Sequence, residues 1–535
     1  MRAARRYALA GVLVLAAAWT RPGAPLAGAA DASGTVQASN LLLWQAGRDP
    51  LTEASASTGI FDQFDLEYSR DGLRAGLRAA SYRPSRDERL LPAHYDEITL
   101  KYAEWEDEGL RLRLGDGFAT LGRGLLFRAF ELGGVVRDAV FPPAQYTDSR
   151  SLAGVILEAG RGPVSVLLLG GEPVRYPDVP PGIVELPRRE GQVGGGHAAF
   201  AIHPALDLGA GYLRSMRQVP GSPPEIAEHA AADLTLRAAR LAPSLASRGF
   251  DLQAYAEYAG RSWDPLGDGL DTGGATPHAF YTATQISIGR WGASYETKDY
   301  DGFALGWNDP PNLVPEMSQH LLNRMSHFLL ADGEHGRQIS VMGALPGELA
   351  LQIESARAVN EVNGLKRYRL DAVVLQGDPL AHVHWEIFAA TGHDEVEGLT
   401  DHRTAGLAVG REIGKGLNLR LHAEYQQAER TTFGVVSTFE NIYLGLGLDR
   451  AGSGTLALQV EFSNDPDEKD DPLTFDVVES EPRSWVGLVA VAPLNRRHEA
   501  ALFAGSRRGG TACTSGTCYL VPDFTGAELR LVSRF

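Results

Sequence analysis

The sequence lacks several features that would point to common protein classes. Its 535 residues include only two cysteines, carry a formal net charge of −17, and contain neither a block of like charge nor a Pro/Ser-rich linker. Nucleic-acid binding needs clustered lysine and arginine, so the acidic balance argues against a nucleic-acid partner. After the first thirty residues no apolar run reaches about 18 residues, which excludes a transmembrane helix there. One large architecture is the simplest expectation.

Motifs that carry catalysis are missing as well. The sequence has no G-x-S-x-G elbow, no Walker loop and no complete G-x-G-x-x-G after a predicted strand. No Ser/His/Asp or Ser/His/Asn constellation presents itself, which disfavours a barrel enzyme that acts on lipid. We therefore expect a protein that is not an enzyme and that needs no cofactor.

The first 29 residues have the pattern of a secretory signal peptide. Arg2, Arg5 and Arg6 form a basic start, the stretch from Tyr7 to Trp19 is apolar, and small residues precede a cleavage site near Ala29. The alternative, a membrane anchor, needs about 20 apolar residues to span about 30 Å. The apolar stretch is shorter, so the sequence predicts export followed by cleavage.

Many short runs alternate strictly between apolar and polar residues. In LNLRLHAEY (417–425) one face carries Leu, Leu, Leu, Ala and Tyr, and the other carries Asn, Arg, His and Glu. Residues 110–115, 250–258 and 456–462 follow the same pattern. A period of two indicates β-strands with two different faces. A soluble antiparallel sheet also alternates, so the connections between strands must decide.

The predicted connections alternate between short and long almost throughout. Short connections such as residues 70–72, 289–290 and 449–454 fall between long ones such as 122–151, 298–337 and 391–403. Outer-membrane barrels combine short periplasmic turns with long extracellular loops. We therefore predict an all-β protein: a single-chain antiparallel transmembrane β-barrel over residues 30–535, with about 24 strands and a range of 20 to 28. The expected location is the outer membrane of a diderm bacterium.

Charged residues opposite the apolar faces are the candidates for the lumen wall. Their mixed signs fit a wet interior of paired charges and indicate no single-sign selectivity ring. A wall without selectivity is the simpler alternative. The lumen-lining candidates are Arg74, Arg78, Arg111, Arg113, Glu257, Glu354, Glu386, Arg420, Glu424 and Glu461, together with Glu67 and Arg530.

Two long segments are candidates for a constriction inside the lumen. Residues 114–136 contain GRGLLFRAFE, which is too apolar for an ordinary surface loop. In residues 305–338, Pro315 can begin an amphipathic helix of about four turns. A lid or constriction role competes with a structural cap and with a helix lying on the outer leaflet. The constriction-loop candidates are Arg123, Arg128, Glu131, Asn323 and Arg324.

These two segments also carry a family resemblance. GDGFATLGRGLLFRAFE and NDPPNLVPEMSQHLLNRMSHFLLADGE resemble the corresponding parts of DUF6029, a family of uncharacterised outer-membrane barrel proteins. The resemblance implies an outer-membrane location and a barrel fold. It implies no substrate and no functional residues.

The remaining residues include candidates for a metal site and for a disulfide. His382, His384 and Glu386 share one strand face, although such residues more often form polar wall. The acidic loops 464–472 and 264–271 do not follow a calcium-binding pattern, so we expect no metal site. Cys513 and Cys518 form an even pair in an exported chain, which predicts a loop disulfide.

The chain ends in ELRLVSRF, which reads as a final strand closed by Phe535. A terminal aromatic residue on such a strand resembles the signal by which outer-membrane barrels are recognised for assembly. The sequence thus predicts a passive or gated channel for small polar or amphipathic solutes. The alternative is a scaffold or sheath for a partner protein, such as an electron-carrying cytochrome. The expected partners are the lipid bilayer, lipopolysaccharide, the outer-membrane assembly machinery and a periplasmic or extracellular protein.

Overall fold

The computed structural model describes most of the chain after the predicted signal peptide. Within it, no helix is long and apolar enough to cross a membrane. The predicted signal peptide and the acidic loops 264–271 and 466–472 lie outside the described residues. These are 34–48, 57–84, 95–138, 144–175, 188–189, 191–217, 224–242, 244, 247, 249–263, 277–315, 317–324, 327, 333–361, 365–380, 382–396, 398–414, 416–432, 434–465, 482–514, 517–521 and 523–535.

Twenty-four antiparallel strands close into one barrel, which confirms the predicted fold and strand number. Five further strands, β6, β7, β10, β27 and β28, lie outside the ring or only partly join it. In chain order the strands are β1 Thr35–Arg48, β2 Ser57–Arg70, β3 Leu73–Pro84, β4 Tyr95–Asp107, β5 Leu110–Gly117, β6 Ala119–Leu121, β7 Phe127–Asp138, β8 Ala144–Arg161, β9 Val164–Arg175, β10 Arg188–Arg189, β11 Gln192–His203, β12 Leu206–Arg217, β13 Glu225–Arg237, β14 Phe250–Trp263, β15 His278–Ile288, β16 Trp291–Asp301, β17 Glu334–Leu345, β18 Leu349–Asn360, β19 Lys366–Leu380, β20 Val383–Asp394, β21 Leu399–Gly414, β22 Leu417–Thr432, β23 Val435–Arg450, β24 Gly454–Ser463, β25 Arg483–Pro493, β26 His498–Arg507, β27 Gly510–Thr514, β28 Thr517–Val521 and β29 Phe524–Arg534. Two short helices occur in the part of the chain that the structure describes, α1 Ala238–Leu241 and α2 His320–Asn323.

The first and last strands close the ring. β1 and β29 pair from Ser39 opposite Arg534 to Arg48 opposite Thr525. The backbone N–H of Phe535 donates to the carbonyl oxygen of Ala38 at 2.8 Å, beyond the last paired residue. Closure leaves no unpaired sheet edge in the wall, which a barrel exposed to lipid requires.

The two rims of the barrel differ in their connections. At one rim, here called the turn rim, tight turns such as Asp71-Gly72 join neighbouring strands, and both residues adopt the positive φ that such turns require. Most of the long connections lie at the opposite rim, here called the loop rim. Connections at both rims depart from the predicted alternation. At the loop rim, residues 433–434 alone join β22 to β23. β20 and β21 extend so far that the predicted loop 391–403 shrinks to residues 395–398, and the turn-rim connection from β13 to β14 contains α1.

The two faces of the wall have the predicted polarity. On β22, Leu421 and Tyr425 project outward and are about half exposed, whereas Glu424 and Gln426 are buried inside the barrel. The same outward exposure recurs around the ring, for example at Ile353, and gives the barrel an apolar exterior. An apolar exterior around a polar lumen is the inverse of a soluble barrel and is typical of a transmembrane one.

Candidate functional site: the obstructed lumen

Part of the wall folds into the lumen between β5 and β8. β5 pairs with the turn-rim half of β8, and β7 pairs with its loop-rim half. The intervening residues 118–129, here called inner segment 1, leave the wall after Gly117. At the point of departure the backbone N–H of Lys101, on β4, donates to the Asp116 carboxylate at 2.8 Å. This bond satisfies a donor that would otherwise lose its strand partner.

Inner segment 1 is anchored by a large apolar cluster. Leu121, Leu125, Leu126 and Phe127 are at most 1% exposed and pack against inward residues of β8, β9 and β11 to β16. Burying one such side chain contributes about 1.5–3 kcal/mol, so the cluster fixes the segment firmly. The apolar character of GRGLLFRAF in the sequence is thereby explained, because these residues face the barrel interior.

Gly122 fits inner segment 1 to the wall at its closest approach. Its φ is +60°, and a Cβ atom there would lie 2.2 Å from an oxygen of Glu257 on β14. The backbone N–H of Arg123 donates to the Glu257 carboxylate at 2.7 Å, and the Arg123 guanidinium lies 5.0 Å from the centre of the Tyr255 ring. Only glycine permits both the left-handed backbone and the short contact. Glu257, predicted to line the lumen, thus binds Arg123, predicted to lie in a constriction loop.

A second inward segment crosses the lumen and contacts the first. Residues 302–315, 317–324 and 327, here called inner segment 2, connect β16 with β17. The side-chain amide of Asn308 donates to the carbonyl oxygen of Leu125 at 3.0 Å, and Arg128 pairs with Asp309 at 2.7 Å. Two backbone hydrogen bonds, from Arg128 to Trp307 and from Asp309 to Gly124, complete the junction. The two segments therefore form one obstruction.

The middle of inner segment 2 is held by three carboxylates of the wall. Glu386, Glu424 and Glu461 lie on β20, β22 and β24. Gln319 donates to Glu386 at 2.7 Å, and His320 Nε2 lies 3.0 Å from Glu461. All three acids are lumen candidates, and the structure brings them to the same segment.

A stacked ring completes this contact. The imidazole of His320 stacks on Tyr443 of β23 with 3.9 Å between ring centres. Burial and the positive charge of Arg324 lower the pKa of His320 despite the nearby Glu461 carboxylate. His320 is therefore held in its neutral form, with its ring between a wall carboxylate and a wall aromatic.

Arg324 links inner segment 2 to the connection between β26 and β29, which also enters the lumen. Its guanidinium pairs with Glu461 at 3.1 Å and donates to the carbonyl oxygen of Arg508 at 2.7 Å. Arg508 in turn pairs with Glu461 at 3.1 Å. The hairpin β27–β28 follows directly, and its backbone lies beside β7 and α2. The connection between β26 and β29 therefore also contributes to the obstruction.

The far end of inner segment 2 is anchored by a buried ionic network. His327 Nδ1 lies 2.9 Å from Asp394, and its Nε2 lies 3.3 Å from Glu334. Lys298 also pairs with Glu334, and its Nζ donates to the carbonyl oxygen of Asn312 at 3.0 Å. Burial lowers the pKa of His327, but the two carboxylates outweigh burial and raise the pKa to about 9. His327 is therefore a cation that ties the segment to the loop-rim ends of β17 and β20.

Sequence reasoning missed this network for a physical reason. Lys298, Glu334, His327 and Asp394 each lie within or beside a predicted long loop, where a charged residue is normally solvated. No pattern along the chain shows that four such residues meet, because the contacts join positions far apart in sequence. A buried lysine needs a partner, but only the folded barrel shows which one.

The remaining lumen candidates form wall pairs. Arg78 bridges Asp65 at 2.5 Å and Glu131 at 2.8 Å, which links β3 to β7. The other pairs are Arg74 with Glu104 and Glu106, Arg111 with Glu158, Arg113 with Glu104, Glu354 with Ser340 and Gln352, Arg420 with Asp449, and Glu67 with Tyr102. Arg530 of β29 lies opposite Leu43 of β1, on the inward face of the wall.

The structure differs from the expectation for inner segment 2. The four-turn helix predicted from Pro315 is wrong, since residues 315 and 317–319 are not helical and the only described helix in the segment is the four-residue α2. The apolar residues of this stretch are instead buried one by one: Met317 and Leu322, for example, pack against inward residues of β18 to β20. Asn323 lies at the end of α2, where its N–H donates to the carbonyl oxygen of Gln319 at 3.0 Å.

His382, His384 and Glu386, which were predicted to share a strand face and to form polar wall, bind different partners. His382 lies 3.0 Å from Glu412, His384 lies 3.0 Å from Asp378, and Glu386 binds inner segment 2. Within the residues that the structure describes, no three His, Cys, Asp or Glu side chains form a metal-sized group. Cys513 and Cys518 lie directly opposite each other in the β27–β28 register.

A cavity of about 440 Å³ lies near the turn rim. Asp378, His384, Arg420 and His422 are among its lining residues, so charges of both signs surround it. The lining therefore presents both hydrogen-bond donors and acceptors to the cavity.

No protein-family model and no curated protein matches the chain. Among solved structures, the translocation pore of the P pilus usher PapC is similar with a TM-score of 0.45 and 10% identity, over 94% of this chain and 99% of that one. The outer membrane protein OpdK from Pseudomonas aeruginosa gives 0.40 and 13%, over 70% and 98%. The ferric citrate transporter FecA gives 0.41 and 10%, over 95% and 79%. Each likeness concerns barrel architecture, and none assigns a function to this chain.

Proposed function

We propose that the protein is a gated channel of the outer membrane, whose lumen is obstructed by its own inner segments and opens when inner segment 2 leaves its wall contacts. The observation that carries this proposal is the binding of inner segment 2 to Glu386, Glu424 and Glu461, three carboxylates on alternate strands of the lumen wall. Polar contacts of this kind can be exchanged for water or for a solute, whereas the apolar contacts of both inner segments have no such replacement.

The outer-membrane location is part of the proposal. A closed barrel with an apolar exterior supports embedding in a bilayer, and the predicted signal peptide supports export. The asymmetry of the rims would place the turn rim in the periplasm and the loop rim outside. The resemblance to the DUF6029 barrels is retained as a proposal about location and fold alone.

Small polar or amphipathic solutes are the proposed cargo. The described lumen wall carries paired charges of both signs, which supports a solute with donors and acceptors over an ion of one sign. The alternative function, a sheath for a partner protein, would need the space that the inner segments occupy between β8 and β26. This occupancy favours the channel.

Planar-bilayer conductance of the purified protein tests the proposal. β16 and β17 are directly paired neighbours, so deleting residues 315–332 leaves the wall continuous. We expect the intact protein to be mostly closed and the deletion variant to show large, steady openings. A deletion variant as silent as the intact protein, although inserted and folded, would rule the gated channel out.

A further inference from the structure

Three arginines and a histidine lie side by side on the outer face of the barrel. In the register of β17 to β20, Arg337 is opposite Arg357, Arg357 is opposite Arg369, and Arg369 is opposite His393. Arg337, Arg357, Arg369 and His393 are here called the arginine row. Neighbouring strands are about 4.8 Å apart, so the row spans about 15 Å across four strands.

The arginine row faces away from the lumen. Arg357 lies between Ala356 and Ala358, which are buried in the barrel interior, and successive side chains of a strand point to opposite faces. Arg369 lies in the same way between Tyr368 and Leu370. The row is therefore on the surface that the barrel presents to its surroundings.

The arginine row lies where the apolar exterior ends near the loop rim. Arg337 and Arg369 are each the fourth residue of their strands counted from that rim. Two rows toward the turn rim, Val341, Ile353 and Val373 lie opposite one another on the same face. A membrane-embedded surface changes from hydrocarbon to headgroups at such a boundary.

Like charges opposite one another destabilise a sheet, so the arginine row calls for a counter-charge. Asp371, one row toward the turn rim, pairs with Arg357 at 2.8 Å and with Arg369 at 2.7 Å. One carboxylate thus serves two guanidinium groups. Among the described residues, Arg337 makes no ion pair. The arginine row therefore has more positive charge than its nearest acid neutralises.

Three other acids nearby have partners other than the guanidinium groups of the arginine row. Asp299 lies 2.7 Å from His335, and Asp401 lies 3.4 Å from Arg403. Glu395 pairs with His393 of the row at 3.2 Å. These pairs border the arginine row. Asp371 is therefore the acid that the guanidinium groups of Arg357 and Arg369 share, and the row keeps a net positive charge at the headgroup level.

We propose that the arginine row is a docking site for the phosphate groups of lipopolysaccharide in the outer leaflet. Guanidinium groups bind phosphate through two parallel charge-assisted hydrogen bonds, and a row of three can hold a headgroup with more than one phosphate. The acyl chains of the same lipid would cover the apolar rows below. The proposal rests on the proposed outer-membrane location but not on channel activity.

Native mass spectrometry of the purified protein with lipid A that carries two phosphates tests the docking site. We expect Arg337→Gln/Arg357→Gln/Arg369→Gln to bind this lipid about a hundredfold more weakly than the unaltered protein. The matched control, Arg70→Gln/Arg411→Gln/Arg450→Gln, removes the same charge from exposed arginines at the turn rim and should bind normally. Arg337→Gln alone, which breaks no described ion pair, serves if the triple variant does not fold.

Further arms separate the sources of phosphate. Dephosphorylated lipid A should bind weakly to every variant, and millimolar inorganic phosphate should not displace the lipid. Equal affinity of the row variant and the unaltered protein, an equal loss in the control variant, or displacement by inorganic phosphate would each overturn the docking site. Conductance of the row variant, which we expect to be unchanged, reports on the channel separately.

Discussion

The carboxylate of Glu424 accepts hydrogen bonds from the backbone N–H of His320 at 2.7 Å and from that of the next residue, Leu321, at 2.8 Å. One wall side chain thus binds two consecutive backbone N–H groups of inner segment 2, near the middle of β22. This contact does not depend on the side chain that inner segment 2 presents, so it holds the backbone itself.

Replacing Glu424 should loosen the obstruction. A hydrogen bond to a charged group contributes about 1.5–3 kcal/mol, so Glu424→Ala should raise the open fraction of the channel at least about tenfold in single-channel recordings. Glu424→Gln keeps one acceptor and should have a smaller effect. Glu412→Ala, which removes an acid paired with His382 at the turn rim, is the control and should leave gating unchanged.

Loss of Lys298 should destabilise the anchor at the far end of inner segment 2. Lys298→Met leaves Glu334, which is 0% exposed, with His327 as its remaining cationic partner. Removing one partner of a buried ion pair costs about 3–5 kcal/mol, and the double variant Lys298→Met/Glu334→Gln should recover part of it. Urea unfolding measures the free energy of unfolding of the single and the double variant, and Lys366→Met at the rim is the control. Additive effects of the two single substitutions would contradict the pairing.

Gating should depend on pH through two histidines of inner segment 2. The raised pKa of His327 means that its contribution to anchoring is full below about 6.5 and is lost as pH rises through about 9. The pKa of His320 is lowered instead, so its contribution is lost as pH falls below about 6.5. The closed state should therefore be most stable near pH 6.5, and it should weaken toward both lower and higher pH.

Conductance recorded from pH 5 to pH 10 checks this expectation, and each histidine has its own variant. His327→Gln should abolish the alkaline rise in opening, and His320→Gln should abolish the acidic one. A profile that neither substitution alters would show that other groups set the pH dependence.

Phe535 should matter for assembly of the closed ring. Its N–H bonds to Ala38 of β1, and its ring lies 5.9 Å from His498, edge to face. Deleting Phe535 removes both contacts and the predicted assembly signal, so we expect a large drop in the fraction of protein inserted in the outer membrane. Phe535→Tyr should insert normally. Normal insertion of the deletion variant would contradict the predicted signal.

The predicted disulfide has a direct chemical test. Cys513 and Cys518 are directly opposite in the hairpin register, as cross-strand disulfides require. We expect no alkylation without reductant and two alkylated thiols after reduction, measured by mass. Two free thiols in the exported protein, purified without reductant, would refute the pairing.

Several features of the lumen show how far the sequence could predict the site. Glu257, Glu386, Glu424 and Glu461 were placed on the lumen face because period two alone assigns a face once a strand is recognised. Their partners on the inner segments could not be assigned, because Glu424 and His320 are 104 residues apart. The arginine row was missed for a similar reason, since register across strands decides which charges meet.

The sequence by itself determined the barrel, because alternation and turn residues are local properties that each strand carries independently. It also marked residues 114–136 and 305–338 as unusual, since their apolar residues needed burial. Only the tertiary structure decided where that burial occurs. Met317 and Leu322 could have belonged to one long surface helix, but inward residues of the wall strands, such as Ala356, bury Met317 in non-helical chain and Leu322 in the four-residue α2. Burial of apolar area is non-directional, so a sequence pattern requires it without naming the surface that provides it.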